Sequence, residues 1–159
     1  MLRLHTSSPE QQEMVGAALA AECPTGSIIY LHGDLGAGKT TLVRGFMHGL
    51  GHKGAVKSPT YTLMEPYHIG HSSFCHIDLY RLSDAGELEY LGLRDLMDEG
   101  ATLLVEWPER GEGELPAPDL LIQIDHLPNG RDLGFFAKTA KGRQLLNGVT
   151  SQFAENLNN

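Results

Sequence analysis

The feature that most constrains this chain is the run from Gly33 to Thr40, Gly-Asp-Leu-Gly-Ala-Gly-Lys-Thr. It fits the phosphate-binding pattern G-x-x-x-x-G-K-[ST] at every position. Its glycines let consecutive backbone N–H groups point into one concavity, where side chains would block an incoming phosphate. Lys39 would reach the β- and γ-phosphates, and the hydroxyl of Thr40 would ligate Mg²⁺. The run therefore predicts a site for a nucleoside triphosphate with magnesium.

The segments on either side of this run have the patterns that such a site requires. A short apolar strand is predicted at Ser27 to Leu31, and an amphipathic helix is predicted at Lys39 to Leu50. The positive end of that helix's dipole would add to the attraction for phosphate. The predicted nucleotide-binding residues of this region are Gly33, Asp34, Leu35, Gly36, Ala37, Gly38, Lys39, Thr40 and Thr41.

The rest of the chain alternates helix and strand patterns. Ser8 is predicted to cap a first helix, with Pro9 at its first position and Gln11 completing a capping box. Met14 is expected in the apolar stripe of that helix, and residues 51–69 are expected to form a loop. The later predictions are strands at Phe74 to Leu79 and Thr102 to Val105, a helix at Glu87 to Met97 with Leu88, Leu91 and Leu96 on one side, a hairpin of Leu120 to Ile124 with Leu133 to Ala137, and a closing helix that includes Val149 and Phe153.

This order of elements predicts an α/β fold, a P-loop NTPase-like three-layer sandwich. The central sheet is expected to be mixed, because the late hairpin turns at Pro128-Asn129-Gly130 and is antiparallel. The 159 residues are expected to form a single domain, with a frayed tail from about residue 155.

Two acidic residues follow predicted strands and are candidates for the chemistry. Asp78 lies at the end of the Phe74 strand, and Glu106 directly follows Thr102 to Val105. Magnesium prefers oxygen ligands, so either carboxylate can ligate the metal while the other orients or deprotonates an attacking water. The alternative is structural, with either acid capping a strand end or pairing with Arg81 or Arg110.

Two further residues are candidates by their position. Thr60 lies in a polar loop after the P-loop helix, where nucleotide hydrolases place segments that sense the γ-phosphate. A proline-rich connector is the alternative for this loop. Trp107, the only tryptophan, directly follows Glu106 and can fill the core or stack on a base or a partner.

Composition limits the classes of partner and location. The net charge of −8 excludes a generally basic surface that would hold a phosphate backbone, so a nucleic acid is expected to be bound mainly by a partner protein. The basic residues Lys138, Lys141 and Arg143 are expected to form a solvated face rather than an RNA contact. With two cysteines, no apolar run typical of a signal peptide and none long enough to span a bilayer, the chain is expected to be a soluble cytoplasmic protein without membrane contact. The eight histidines show no tight spacing typical of a metal site.

Four segments in order carry a resemblance to a known family. They are LHGDLGAGKTTLVRG from Leu31 to Gly45, KSPTYTL from Lys57 to Leu63, HIDLYRL from His76 to Leu82, and LLVEWPER from Leu103 to Arg110. With these segments the chain resembles the bacterial TsaE (YjeE) family of tRNA threonylcarbamoyladenosine (t6A) biosynthesis. The resemblance covers nearly the whole chain, and the combination of segments is far more specific than the P-loop alone.

The resemblance implies an ATPase that uses ATP and Mg²⁺ and works with the proteins TsaB and TsaD. Contact with tRNA is implied to be mainly indirect, through those partners. Carried onto this chain, Lys39 and Thr40 hold phosphates and magnesium, and Thr60 lies in a switch-like loop. Asp78 and Glu106 form the metal and water site, with Trp107 as an adjoining functional aromatic.

Other functions compatible with a P-loop are a small-molecule kinase, a GTPase switch and a non-catalytic nucleotide sensor. A kinase usually needs a mobile lid that carries arginines, and no insertion of that kind is evident. A GTPase is disfavoured because the guanine-reading N-K-x-D motif is absent from the sequence. A sensor differs from an ATPase only in turnover, on which the sequence is silent.

Overall fold

The computed structural model describes residues 1–154, in which the chain forms a mixed sheet with helices on both faces. The tail predicted to fray from about residue 155 lies outside the described residues. The strands are β1 Leu2–Thr6, β2 Ile28–His32, β3 Met64–Ile69, β4 Ser72–Asp78, β5 Thr102–Glu106, β6 Leu120–Leu127 and β7 Gly130–Ala137. The helices are α1 Pro9–Ala21, α2 Lys39–Gly49, α3 Glu87–Tyr90, α4 Leu93–Asp98 and α5 Ala140–Gln152, and a 3₁₀ turn covers Pro108–Gly111.

The sheet has seven strands in the order β1-β7-β6-β2-β5-β4-β3. Its centre, β6-β2-β5-β4, is parallel, whereas β7, β1 and β3 pair antiparallel with their neighbours. The carboxyl ends of parallel strands meet at one edge of a sheet. The end of β2 at the phosphate-binding run, the end of β4 at Asp78 and the end of β5 at Glu106 therefore lie side by side.

Two apolar clusters, one on each face of the sheet, hold the three layers together. Alternation along β2 sends Ile29 and Leu31 into the cluster under α1, α2 and α5, and sends Ile28 into the cluster under α3 and α4. Full burial of such a side chain stabilises the fold by roughly 1.5–3 kcal/mol. The predicted α/β sandwich with a mixed sheet is confirmed. Among the described helices, none is long and apolar enough to cross a membrane.

Two strand regions differ from the sequence analysis. The prediction of a loop over residues 51–69 is wrong at its end, where β3 (Met64–Ile69) pairs with β4. Pro66 argues against a strand in the sequence, because proline cannot donate a hydrogen bond to a neighbouring strand. β3 accommodates it because β3 is an edge strand. The other edge strand, β1, precedes the first predicted element and pairs with β7.

The predicted helices also need corrections. The helix expected at Glu87 to Met97 is two short helices, α3 and α4, because Gly92 between them has a left-handed φ of 88°. Leu91 is 42% exposed rather than packed, and Met14, expected in the stripe of α1, is 48% exposed.

The start of α1 is capped as predicted by the Ser8 hydroxyl, which accepts from the Gln11 N–H at 3.2 Å. The capping box is not completed, because the Gln11 side chain accepts from the Ser7 N–H (2.7 Å) instead of the Ser8 N–H. The hairpin of β6 and β7 and the long helices α2 and α5 are confirmed.

Candidate functional site

The run from Gly33 to Thr40 forms the tight connection between β2 and α2. Gly36 and Gly38 have left-handed φ angles of 78° and 100°, which residues with a Cβ rarely adopt. The buried Ala37 lies between these two left-handed glycines, and the three residues form a concave backbone segment of the kind that binds anions. The predicted loop between a strand and the start of a helix is thus present, and its binding of phosphate stays a prediction.

A cavity of about 280 Å³ opens in front of this loop and gathers most of the predicted site residues. The loop and α2 form one side, and side chains from the ends of β4 and β5 form the other. Gly33 and Asp34 do not line this cavity but border a neighbouring hollow. The lining residues are Leu35, Gly36, Ala37, Gly38, Lys39, Thr40, Thr41, Ser58, Thr60, Asp78, Glu106 and Trp107.

Lys39 is held inside the cavity by two contacts. Its Nζ donates a hydrogen bond to the Gly33 carbonyl and lies 3.9 Å from the centre of the Trp107 ring. Burial lowers the pKa of Lys39, while the negative charges of Glu106 and Asp78 act in the opposite direction. The ammonium is thus a poorly hydrated charge with an incomplete set of partners, which a bound phosphate can complete.

Glu106 accepts hydrogen bonds from two side chains. Thr40 Oγ1 donates to Glu106 Oε2 at 3.0 Å, and His76 Nε2 lies 2.5 Å from the same oxygen. Two ligands about 2.1 Å from one Mg²⁺ and at right angles to each other lie about 3.0 Å apart. The spacing of the Thr40 and Glu106 oxygens therefore fits a shared magnesium ion.

His76 is a residue of this site to which the sequence analysis assigned no role. It is fully buried on β4, two residues before Asp78 and on the same face of the strand. Its Nδ1 has no hydrogen-bond partner among the described residues, so the contact with Glu106 is the polar interaction that orients the ring. A partner of this kind fixes the position of a carboxylate that ligates a metal. The i, i+2 spacing from Asp78 was the signal available in the sequence.

Asp78 links the end of β4 to the loop that contains Thr60. Its Oδ1 accepts from the Tyr80 N–H at 3.0 Å, and its Oδ2 lies 3.4 Å from Ser58 Oγ and 3.5 Å from Thr60 Oγ1. Burial raises the pKa of Asp78 and the charge of Glu106 adds to this, whereas the Tyr80 N–H opposes it. The loop therefore lies against Asp78 through its hydroxyl groups, at distances longer than a typical O–H···O hydrogen bond.

Of the structural alternatives for the two carboxylates, pairing with Arg81 or Arg110 is wrong, whereas capping of a strand end is seen at Asp78, whose Oδ1 accepts from the Tyr80 N–H just beyond β4. Within residues 1–154, neither Asp78 nor Glu106 forms an ion pair with an arginine. Arg81 instead stacks over the Tyr61 ring at 4.6 Å, and Arg110 stacks over the Tyr80 ring at 5.2 Å.

Trp107 lies at the rim of the cavity in a strained conformation. Its φ of 57° is in the left-handed region, which costs a residue with a side chain about 1–3 kcal/mol. The ring is half-buried, packs on Tyr80 at 5.1 Å and faces the Lys39 ammonium. Trp107 is therefore a wall of the site rather than a residue that only fills the core.

A second groove of about 590 Å³ lies against the other side of the phosphate loop. Gly36, Ala37, Gly38 and Thr41 line both this groove and the first cavity. The groove runs from there to residues 6–9 at the start of α1 and to residues 128–131 in the β6–β7 turn. The groove therefore continues the surface of the phosphate loop away from the first cavity.

Comparisons with known proteins agree on one family. Residues 6–133 match the family model described as threonylcarbamoyl adenosine biosynthesis protein TsaE. A Haemophilus influenzae protein named tRNA threonylcarbamoyladenosine biosynthesis protein TsaE is 47% identical over 124 residues, 78% of each chain. A Bacillus subtilis protein with the same name is 40% identical over 123 residues, 77% of each chain. The crystal structure of YdiB from Bacillus subtilis superposes with a TM-score of 0.80 at 31% identity and 95% coverage of each chain. The chain therefore belongs to the TsaE family.

Proposed function

We propose that this protein is the ATP-binding and ATP-hydrolysing component of the machinery that makes N6-threonylcarbamoyladenosine in tRNA. The observation that carries the proposal is the cavity in which Leu35 to Lys39 of the phosphate loop face the Thr40–Glu106 pair and Asp78. The pathway is inferred from the names of the relatives, and ATP hydrolysis is inferred from the residues that line the cavity.

Within this site each side chain has a separate task. Lys39 would leave the Gly33 carbonyl to contact the β- and γ-phosphates, and Thr40 and Glu106 would hold magnesium. When bound, magnesium offsets negative charge on the phosphates. Asp78 orients the attacking water and accepts its proton, a task favoured by burial, which raises the pKa of this carboxyl. Thr60 senses the γ-phosphate through the loop attached to Asp78.

The partners in this proposal are TsaB and TsaD, with tRNA contacted mainly through them. The net charge of −8 supports an indirect contact, because a surface of this charge gains little from releasing the counterions of a nucleic acid. The role also implies a cytoplasmic protein.

We expect slow ATP hydrolysis by the protein alone and stimulation of about tenfold or more when TsaB and TsaD are added, corresponding to at least about 1.4 kcal/mol in the barrier. The measurement is phosphate release with Mg²⁺·ATP, with the Lys39→Ala variant mixed with the same partners as the control. Absence of both stimulation and complex formation on a sizing column would remove the pathway assignment and favour a small-molecule kinase. Complex formation that depends on ATP without turnover would indicate a nucleotide sensor.

Trp107 provides an optical report of nucleotide binding. It is the only tryptophan, and the Lys39 ammonium lies 3.9 Å from its ring centre. Because a cation over an indole ring interacts with its π electrons, transfer of Lys39 to phosphate should produce a saturable change in tryptophan emission. The titration is made with Mg²⁺·ATP, and Lys39→Met is the control in which the change should be much smaller. An unchanged spectrum in a sample that calorimetry shows to be saturated would contradict the proposed movement of Lys39.

A further inference from the structure

The outer edge of the phosphate loop is held by side chains that lie outside the Gly33–Thr40 motif. Arg131, at the start of β7, donates from Nε to the Ala37 carbonyl at 3.2 Å and from Nη2 to the Gly36 carbonyl at 3.3 Å. Gln12, in α1, donates from Nε2 to the Gly38 carbonyl at 3.3 Å. Two side chains thus hold the carbonyls of Gly36, Ala37 and Gly38, three consecutive residues.

Both side chains are themselves fixed. Gln12 is 2% exposed, and the Thr6 hydroxyl donates to its Oε1 at 2.8 Å, which sets the orientation of the amide. The guanidinium of Arg131 also donates from Nη1 to the Gly130 carbonyl at 2.8 Å. Thr6 and Arg131 are opposite each other in the β1–β7 register, so both supports of the loop meet at the end of this strand pair.

Fixing these carbonyls determines where the neighbouring N–H groups point. In a planar trans peptide the C=O and the following N–H point in opposite directions. Outward carbonyls at Ala37 and Gly38 therefore turn the N–H groups of Gly38 and Lys39 inward, toward the cavity. The Ala37 N–H closes a turn to the Asp34 carbonyl at 3.1 Å, which holds the first part of the loop.

We propose that Arg131 and Gln12 are positioning residues that preorganise the phosphate loop before a ligand binds. The loop contains glycines with little conformational preference of their own, so an unsupported loop would have to be ordered at the expense of binding free energy. Donors that are already aligned bind a phosphate without that cost. The proposal rests on the proposed nucleotide site and concerns its phosphate-binding half.

The competing role for Arg131 is direct contact with the nucleoside, because Arg131 also lines the second groove. The two roles differ in the ligand that they affect. A positioning role applies to inorganic tripolyphosphate as much as to ATP, whereas contact with the base or ribose applies to ATP alone. The planar guanidinium of Arg131 donates to two carbonyl groups at once. A lysine ammonium lacks this fixed pair of donors and would replace it poorly.

The experiment compares Arg131→Ala, Arg131→Lys and Gln12→Met with an Arg3→Ala control. Arg3 lies on the same strand pair and forms an exposed ion pair with Asp132, away from the loop. Dissociation constants are measured by calorimetry for Mg²⁺·ATP and for Mg²⁺·tripolyphosphate. We expect each test variant to weaken both ligands by about tenfold, as for the loss of one or two hydrogen bonds to carbonyls, and the control to change neither.

Amide hydrogen exchange of residues 33–40 in the ligand-free protein is the second measurement. Exchange should be faster in the test variants and unchanged in Arg3→Ala, at equal global stability by thermal unfolding. This measurement decides the proposal even where tripolyphosphate binding is too weak to quantify. Unchanged exchange, or a loss confined to ATP, would overturn the positioning role. Failure of the unaltered protein to bind ATP would instead overturn the proposed function.

Discussion

Replacing Lys39 with alanine is expected to reduce affinity for Mg²⁺·ATP by about 100-fold or more and to abolish measurable turnover. The ammonium is the positive side chain of the cavity, and a charge-assisted contact with phosphate in a site of low polarity is worth about 1.5–3 kcal/mol or more. Calorimetry gives the affinity and phosphate release gives the turnover. Affinity within a factor of about 3 of the unaltered protein would contradict the assignment of the loop.

The control for this prediction is Lys39→Met, which keeps the apolar stem against Trp107 but has no charge. We expect it to bind ATP as weakly as the alanine variant and to unfold at or above the temperature of the unaltered protein. The reason is that burial lowers the pKa of Lys39, so the charged form is less favourable in the folded than in the unfolded state. A lysine of this kind costs stability at every pH at which it is charged in the unfolded chain. Loss of binding with retained stability would exclude unfolding as the cause.

The phosphate loop and its two acidic partners could be predicted from the sequence because their geometry depends on local rules. Left-handed positions at Gly36 and Gly38 require glycine, and a helix must follow the loop for the lysine to be placed. Asp78 and Glu106 are predictable because each ends an apolar strand, and the carboxyl ends of parallel strands meet at one edge of the sheet.

The residues that support the site could not be found in this way. Gln12 precedes the phosphate loop in the sequence and Arg131 lies 94 residues after Ala37 of that loop, yet both contact the loop. No local sequence pattern predicts the sheet order that brings β1 beside β7. For His76 the i, i+2 spacing from Asp78 was a weak signal, because an apolar residue is the usual choice at an interior position of a strand. The edge strand β3 has no strand signal in the sequence, because its pairing with β4, rather than its composition, makes it a strand.

Removing the carboxylates should separate turnover from binding. Asp78→Asn and Glu106→Gln are each expected to lower kcat by about 100- to 1,000-fold, the usual effect of removing a catalytic acid–base or charge-stabilising group. Their affinity for ATP should change by less than about tenfold, because Lys39 and the loop amides still hold the phosphates. The matched control is Glu109→Gln, since Glu109 lies in the turn after Trp107, pairs with His32 and does not line the cavity.

Magnesium dependence distinguishes the two carboxylates. Glu106 Oε2 lies 3.0 Å from the Thr40 hydroxyl, so Glu106→Gln should raise the Mg²⁺ concentration needed for half-maximal activity by about tenfold or more, as for the loss of one metal ligand or its support. Asp78→Asn should leave that concentration nearly unchanged while lowering kcat, because Asp78 acts on the water. Direct titration with Mn²⁺ in the presence of ADP, followed by electron paramagnetic resonance, gives the metal affinity independently of turnover. A reversed pattern would exchange the two roles, and normal hydrolysis by both variants would show that neither carboxylate takes part in the reaction.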